Sequence, residues 1–358
     1  MIEQVLSLLL NGERFFITTH VRPDGDALGS QVALGLFLKG LGKEVTMINS
    51  DPLPYNLFWL PGADEVEVFD GSLRQRERIG AADVIIIADT NALERLGKVA
   101  GPVENSTNTK LLIDHHTHPE KWFDVTYRRE SASSTGELVY ELIAAYDRNM
   151  ITPEIATALY TAIMTDTGSF RYDSVTPTVH RTVADILELG DIRPAPIHIS
   201  LYDTRSIHGL KLLSRALESV TLCYDGQVGY MVLSQRVVRE SGASLDETEG
   251  FVNYVLSIEG VNAALLFTET DSGTKVSFRS KGNTFVHEWA RAFGGGGHRN
   301  ASGAYIRRPL DEVIREVLAV APRFMDLKDT PPEDEGVLSP EDEHYLSILM
   351  DRKTQESQ

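Results

Sequence analysis

The chain predicts an α/β fold in which a doubly wound, mostly parallel sheet is followed by a smaller α+β domain. Three observations carry this expectation. Short, almost wholly apolar runs such as Val84 to Ala88 and Leu111 to Ile113 suit strands covered on both faces. Through the first half these runs alternate with helix-length patterns, the succession of a βαβ domain. Beyond residue 216 the character changes, and two strand-like runs flank the turn Asp225-Gly226.

In order along the chain, Phe15 to Thr19 reads as the first strand. Ala27 to Leu41 follows as a helix with small residues at Gly29, Ala33 and Gly35, and Glu44 to Asn49 as a second strand. Thr135 to Ala145 and Glu154 to Met164 are helical, with Ser134 placed as an N-cap and Pro153 near the first helical position. The pattern breaks around Gly190 to Pro196. The first domain is therefore placed at residues 1–190, a linker at 191–215, the second domain at 216–326 and an acidic tail at 327–358. Within the linker Ile207 to Leu217 is helical. The second domain has strands at Ser219 to Tyr224 and Val228 to Ser234, then a helix near Glu247 to Ile258. Strands at Asn262 to Thr268 and Lys275 to Arg279, a helix near Phe285 to Phe293, a strand near Ala304 to Arg307 and a helix from Leu310 complete it. The tail carries Pro331-Pro332 and Glu333-Asp334-Glu335 and reads as solvated.

At 358 residues the chain is long enough for two cores. Its one cysteine, Cys223, forms no intramolecular disulfide, so nothing points to an oxidising compartment. The N-terminal apolar run is too short for a signal peptide core or a membrane span, and a cytoplasmic protein without membrane contact is expected. The net charge is −18, from 34 basic and 52 acidic residues. Such a surface opposes long duplex nucleic acid, which is held by many Lys and Arg contacts to phosphate. An anionic substrate must instead be captured locally, by cations or a small basic pocket, and short RNA or nucleotides suit that better. Oligomeric state is left open, and a homodimer is compatible with the sequence.

The most informative residues are four clusters of histidine and aspartate. His20, Asp24 and Asp26 share one loop, Asp89 follows an apolar run, Asp114-His115-His116 follows another, and Asp166 stands beyond them. In a parallel α/β sheet ligands bind where loops leave the carboxyl ends of the strands, which is where His20, Asp89 and Asp114-His115-His116 are placed. Pro23 and Gly25 let the first loop fold sharply enough for its three side chains to converge; for Asp26 alone, capping the following helix is the competing role. Four carboxylates in one site repel one another. Two divalent ions remove that conflict, since Asp24, Asp26, Asp89 and Asp166 together carry the opposing charge. Imidazole ligands suit Mn²⁺ better than Mg²⁺, so two Mn²⁺ ions are the expected cofactors. Adjacent His115 and His116 point in different directions and take different roles, with Asp114 orienting a ring N–H.

A run of four glycines, Gly294, Gly295, Gly296 and Gly297, precedes His298 and Arg299. It is read as a loop whose consecutive N–H groups cradle an anion. His298 and Arg299 add donors beside it, and Arg279 and Lys281 approach from a neighbouring strand end. No Gly-Lys-Ser or Gly-Lys-Thr follows, so it is not a P-loop.

These motifs resemble the DHH phosphoesterases, specifically the two-domain group with a DHH-associated C-terminal domain. The stretches HVRPDGDA from His20, IIIADT from Ile85, LLIDHH from Leu111 and IMTDTGSFRY from Ile163 look like the four metal motifs in family order. FRS from Phe278 and GGGGHRNASG from Gly294 resemble the substrate signature of the second domain. DETEGFVNYVLSIEGV, from Asp246, is similar to a segment of the nanoRNase and pAp phosphatase branch. The resemblance implies His20, Asp24 and Asp89 on one metal, and Asp26, Asp89, His115 and Asp166 on the other, with Asp89 bridging. It implies that His116 faces the substrate, as a phosphate contact or general acid, so His116 and the Asp114 that orients it are the expected catalytic residues. It implies that Arg279, His298 and Arg299 hold the nucleotide, and Gly295, Gly296 and Gly297 of the anion cradle are expected to bind substrate with them. The activity implied is hydrolysis of very short RNA and of the 3′-phosphate of 3′-phosphoadenosine 5′-phosphate. Two alternatives stand beside it: a phosphodiesterase for dinucleotides such as pApA, and an inactive nucleic-acid-binding relative. Every metal carboxylate is present, which argues against the inactive relative.

Overall fold

The computed structural model describes residues 1–117 and 119–325. The chain divides into two compact units, one spanning Met1–Thr204 and the other beginning at Arg205. The acidic tail expected at 327–358 lies outside the described residues.

The first unit runs α1 (Ile2–Asn11), β1 (Arg14–Thr18), α2 (Gly25–Gly40), β2 (Glu44–Asn49), β3 (Val66–Val68), α3 (Leu73–Ala81), β4 (Val84–Ala88), α4 (Ala100–Glu104), β5 (Thr109–Asp114) and β6 (Val125–Arg128). Four helices complete it: α5 (Thr135–Asp147), α6 (Pro153–Asp166), α7 (Pro177–Gly190) and α8 (Pro194–Tyr202). The six strands form one wholly parallel sheet in the order β3-β2-β1-β4-β5-β6. Strand order reverses between β1 and β4, and a crevice opens at such a switch point, past the carboxyl ends of the strands. One face packs Phe15, Ile17, Ile86, Leu111 and Ile113 against α2, α5 and α6; the other buries Phe16, Ile48, Ile85, Ile87 and Leu112. Both faces are covered, which is why these strands lack polar alternation.

Helix ends follow local chemistry. The Ser134 side chain accepts from the Glu137 N–H to open α5, and Pro153 stands in the first turn of α6, both as the sequence predicts; the α6 cap itself is Thr152. The capping role at α2 belongs to Asp24, whose Oδ1 accepts from the N–H groups of Asp26 and Ala27, each at 3.1 Å. Asp26 is thus released from the capping role considered for it. The expected linker is largely helical: Pro194 sits in the first turn of α8, where a missing N–H costs nothing, and Ile197 and Leu201 are buried.

The second unit runs α9 (Ile207–Glu218), β7 (Thr221–Cys223), β8 (Val228–Leu233), α10 (Gln235–Ser241), α11 (Val252–Leu256), β9 (Ala263–Thr270) and β10 (Gly273–Ser280). It continues through α12 (His287–Arg291), β11 (Gly296–His298), β12 (Ala301–Ile306) and α13 (Leu310–Ala319). Its sheet has the order β11-β12-β10-β9-β8-β7, with only β8 and β9 parallel. The helix expected over Glu247 to Ile258 is interrupted. A 3₁₀ turn at Leu245–Thr248 precedes α11, and between them Gly250 takes φ 81°, which an α-helix does not allow. Cys223 is buried, and burial pushes its thiol up to about 12, so it is no thiolate nucleophile. Among the described residues, no helix is long and apolar enough to cross a membrane.

Close approach of α2 to α6 depends on glycine. A Cβ at Gly29 would stand 2.5 Å from the Ala158 carbonyl oxygen and 3.0 Å from the Ala162 Cβ. Gly29→Ala is therefore expected to destabilise the protein by about 1–3 kcal/mol through overpacking. Gly80→Ala, at an exposed helical position with nothing near its Cβ, should be neutral or stabilising. Urea denaturation of both variants checks this, and equal midpoints would contradict it.

Candidate metal centre

His20 and Asp89 leave the carboxyl ends of β1 and β4, on either side of the switch point. Asp89 adopts φ 59°, a left-handed conformation uncommon outside glycine. Its N–H donates to the Ile113 carbonyl at 3.0 Å, which ties the end of β4 to the end of β5. Its Oδ1 accepts from the Thr135 hydroxyl at 2.8 Å, and its Oδ2 lies 3.4 Å from His20 Nε2.

Around Asp89 the expected ligands gather in two groups. His20, Asp24 and Asp89 each offer an atom within 4.8 Å of the others, and so do Asp26, His115 and Asp166. His115 Nε2 lies 3.7 Å from Asp26 Oδ2, 3.7 Å from Asp89 Oδ1 and 3.4 Å from Asp166 Oδ2, so Asp89 faces both groups. Asp166 comes from the last residue of α6 rather than from a strand. Asp26 is fixed by the N-terminus of α5. Its Oδ2 accepts from the Thr135 N–H at 2.7 Å, and its Oδ1 accepts from the Gly136 N–H at 2.9 Å and the Ser30 hydroxyl at 3.0 Å.

The donor set fits divalent cations. His20 Nδ1 lies 2.9 Å from the Val21 carbonyl, and His115 Nδ1 lies 3.2 Å from that of Ala132. Each carbonyl can only accept, so both rings carry their proton on Nδ1 and turn an Nε2 lone pair toward carboxylate oxygens. A carboxylate oxygen facing such a lone pair is repulsive unless a proton or a metal cation lies between them. The acidities agree. Burial raises the Asp26 carboxyl well above the usual range, and the nearby Asp89 and Asp166 charges raise it further. Burial and the Asp24 charge do the same to Asp89. Burial lowers His20, helped by the charge of Arg95.

His115 and His116 diverge, their ring planes meeting at 72°. His116 turns to Asp114, with Nδ1 2.7 Å from Oδ1. Burial alone would raise the Asp114 carboxyl, but the hydrogen bond and charge of His116 bring it below its ordinary value. The sequence reading missed Asn91. Its buried Nδ2 donates to Asp114 Oδ2 at 2.9 Å and to the Thr117 carbonyl at 3.0 Å, holding the far oxygen of the carboxylate that orients His116. An asparagine two residues beyond Asp89 was the only available signal. Arg128 was missed as well, and its Nη1 donates to the His116 carbonyl at 2.9 Å.

In the second unit the glycine run is not an open loop. Gly296–His298 form the edge strand β11, paired antiparallel with β12. A Cβ at Gly295 would stand 2.2 Å from the Gly303 carbonyl oxygen, and one at Gly297 2.6 Å from that of Ala301. Glycine is required there by the neighbouring backbone. Arg299 occupies the turn after β11 and is exposed. Arg279 lies on β10 opposite Ala301, its Nη1 donating to the Phe278 carbonyl and its Nη2 lying 3.8 Å from Glu249 Oε1.

Comparison with known proteins agrees with this architecture. Residues 14–163 match the DHH family N-terminal domain, and residues 226–326 match the DHHA1 domain. A Thermus thermophilus protein named bifunctional oligoribonuclease and PAP phosphatase is 31% identical, over 85% of this chain and 87% of that protein. The chain belongs to the DHH family. The Bacillus subtilis protein of the same name is 29% identical over 80% of this chain and 87% of that one. A Bacteroides fragilis crystal structure, described as an exopolyphosphatase-related protein, superposes with a TM-score of 0.83 at 32% identity. It covers 89% of this chain and 94% of its own. Phosphoesterases of this family depend on metal.

Asp89→Asn tests the electrostatic account without turnover. In protein stripped by EDTA, the amide relieves the buried repulsion and can donate to His20 Nε2, so the unfolding midpoint should rise by about 2–6 °C. Added Mn²⁺ should then stabilise the wild type far more than the variant. A fall in the metal-free midpoint would sink the account.

Proposed function

We propose that this DHH-family hydrolase cleaves the phosphoester bonds of very short RNA and removes the 3′-phosphate of 3′-phosphoadenosine 5′-phosphate. The observation that carries the reading is the convergence of two His/Asp groups on Asp89, in a chain collinear with a bifunctional oligoribonuclease and PAP phosphatase. His20, Asp24 and Asp89 hold one cation; Asp26, Asp89, His115 and Asp166 hold the other. Mn²⁺ is favoured by the two imidazoles. Such ions, when bound, neutralise charge on the phosphate and make water acidic enough to attack it at neutral pH.

The chain's own residues do the rest. Asp114 keeps the His116 proton on Nδ1, so Nε2 is the atom that exchanges a proton with the leaving oxygen. Asn91 holds Asp114 in place. Arg279, His298, Arg299 and the backbone of Gly295, Gly296 and Gly297 bind the nucleotide. The net charge of −18 disfavours long strands, which would run extra phosphates past acidic surface.

Chelation should abolish turnover, and Mn²⁺ should restore it better than Mg²⁺. Asp89→Ala should cost more than tenfold in kcat, over about 1.4 kcal/mol of barrier. Full activity in EDTA would end the metal reading. Parallel assays of pApA, a five-nucleotide RNA and 3′-phosphoadenosine 5′-phosphate with Mn²⁺ test the substrate class. Turnover of pApA alone would favour a dinucleotide phosphodiesterase.

A length series of single-stranded RNA at two salt concentrations tests the charge argument. kcat/KM should fall beyond about five nucleotides, and the penalty should shrink as salt screens the surface over roughly 8–10 Å. Equal efficiency on a 2-mer and a 24-mer at low salt would rule out the short-substrate reading.

A further inference from the structure

The end of β10 and the start of β12 are stitched together by one side chain. Asn300 Nδ2 donates to Ser280 Oγ at 3.0 Å, to the Gly282 carbonyl at 3.1 Å and to that of Thr284 at 2.9 Å. The Ser280 N–H donates to the Asn300 carbonyl at 3.0 Å, and the Val286 N–H to that of Arg299 at 2.7 Å. Residues 281–286 and the turn after β11 therefore form one fixed surface, backed by the buried Val286 and Trp289.

On that surface stands Phe285, 36% exposed, whereas Phe251, Phe267 and Phe278 of the same unit are fully buried. The Arg299 guanidinium carbon lies over the Phe285 ring, 5.4 Å from its centroid. The His287 ring meets Phe285 edge-on at 6.2 Å. Arg299 is exposed and pairs with no carboxylate among the described residues, although acidic side chains far outnumber basic ones in this chain. The part of the Phe285 ring that stays in contact with water is free to pack against a ligand. A guanidinium already oriented on that ring loses little further freedom when a third planar group joins the stack.

We propose that Phe285 and Arg299 form a nucleobase-stacking site, which takes the purine of a nucleotide so that the second unit recognises the base as well as phosphate. Aromatic rings and Arg planes are the elements on which single-stranded bases stack, and the face of a base needs no sequence-specific hydrogen bond. The site rests on the nucleotide reading above and sharpens it: ligands without a base gain nothing from Phe285. Purines, with the larger π surface, gain more than pyrimidines.

The test uses the full chain in EDTA, so that binding is read without turnover. A 5′-phosphorylated dinucleotide carrying 2-aminopurine should be quenched on binding to the wild type. Phe285→Ala should bind it on the order of tenfold more weakly and lose the quench. Phe285→Trp should restore both, and affinity for inorganic tripolyphosphate should be the same in all three proteins. With Mn²⁺, the wild type should show a lower KM for pApA than for pUpU, and Phe285→Ala should lose that difference at unchanged kcat. Unaltered dinucleotide binding by Phe285→Ala overturns the stacking site alone. So does a loss that Trp fails to rescue, or an equal loss of tripolyphosphate binding. A wild type that neither binds nor cleaves any nucleotide overturns the nucleotide reading as well.

Discussion

Asp89 is the point on which the first unit turns. A carboxylate is buried there, in a backbone conformation that side chains seldom adopt, with one oxygen toward His20 and the other toward His115. While Asp89 is ionised, hydrogen bonding to the imidazoles does not relieve that arrangement, because both turn an Nε2 lone pair toward it. The surrounding structure holds the strain. β4 is covered on both faces, the Asp89 N–H is tied to β5, and the Thr135 hydroxyl holds Oδ1. The free energy of assembling like charges is met by packing elsewhere, and a cation held there would recover it.

Helices α2, α5 and α6 translate that packing into ligand geometry. Gly29 lets α2 lie against the backbone of α6, and Gly136 lets α5 approach Ala162. As a result the first turn of α2, the first turn of α5 and the last residue of α6 meet at one place. Asp26 and Asp166 reach the site from helices, while His20, Asp89 and His115 reach it from strand ends. The α5 N-terminus supplies two N–H donors to Asp26.

Much of this was legible in the sequence because the candidate ligands adjoin apolar strands whose ends define the site. The strands β1, β2, β4 and β5 and the helices α2, α5 and α6 stand where apolar runs and caps place them. The short edge strands β3 and β6 escaped notice, since three or four half-exposed residues carry no clear period. The proline-rich stretch near residue 194 resembled a break because proline serves equally well in a loop and in a first helical turn. The hydrogen bonds of Asn91 to Asp114 and Thr117 span 23 and 26 residues, a relation no local pattern encodes. For the glycine run, composition pointed to a loop, but the deciding contact is with β12, whose backbone crowds Gly295 and Gly297.

That crowding divides the glycine run into positions of unequal mutational latitude. Gly295 and Gly297 are locked by main-chain atoms that cannot step aside, and Gly294 by its φ of 73°. Gly296 has an unexceptional backbone and open space where a Cβ would project. A protein engineer seeking to vary the run without unravelling the hairpin therefore has one place in it to diversify. Evolution, working on the same scaffold, has the same narrow doorway.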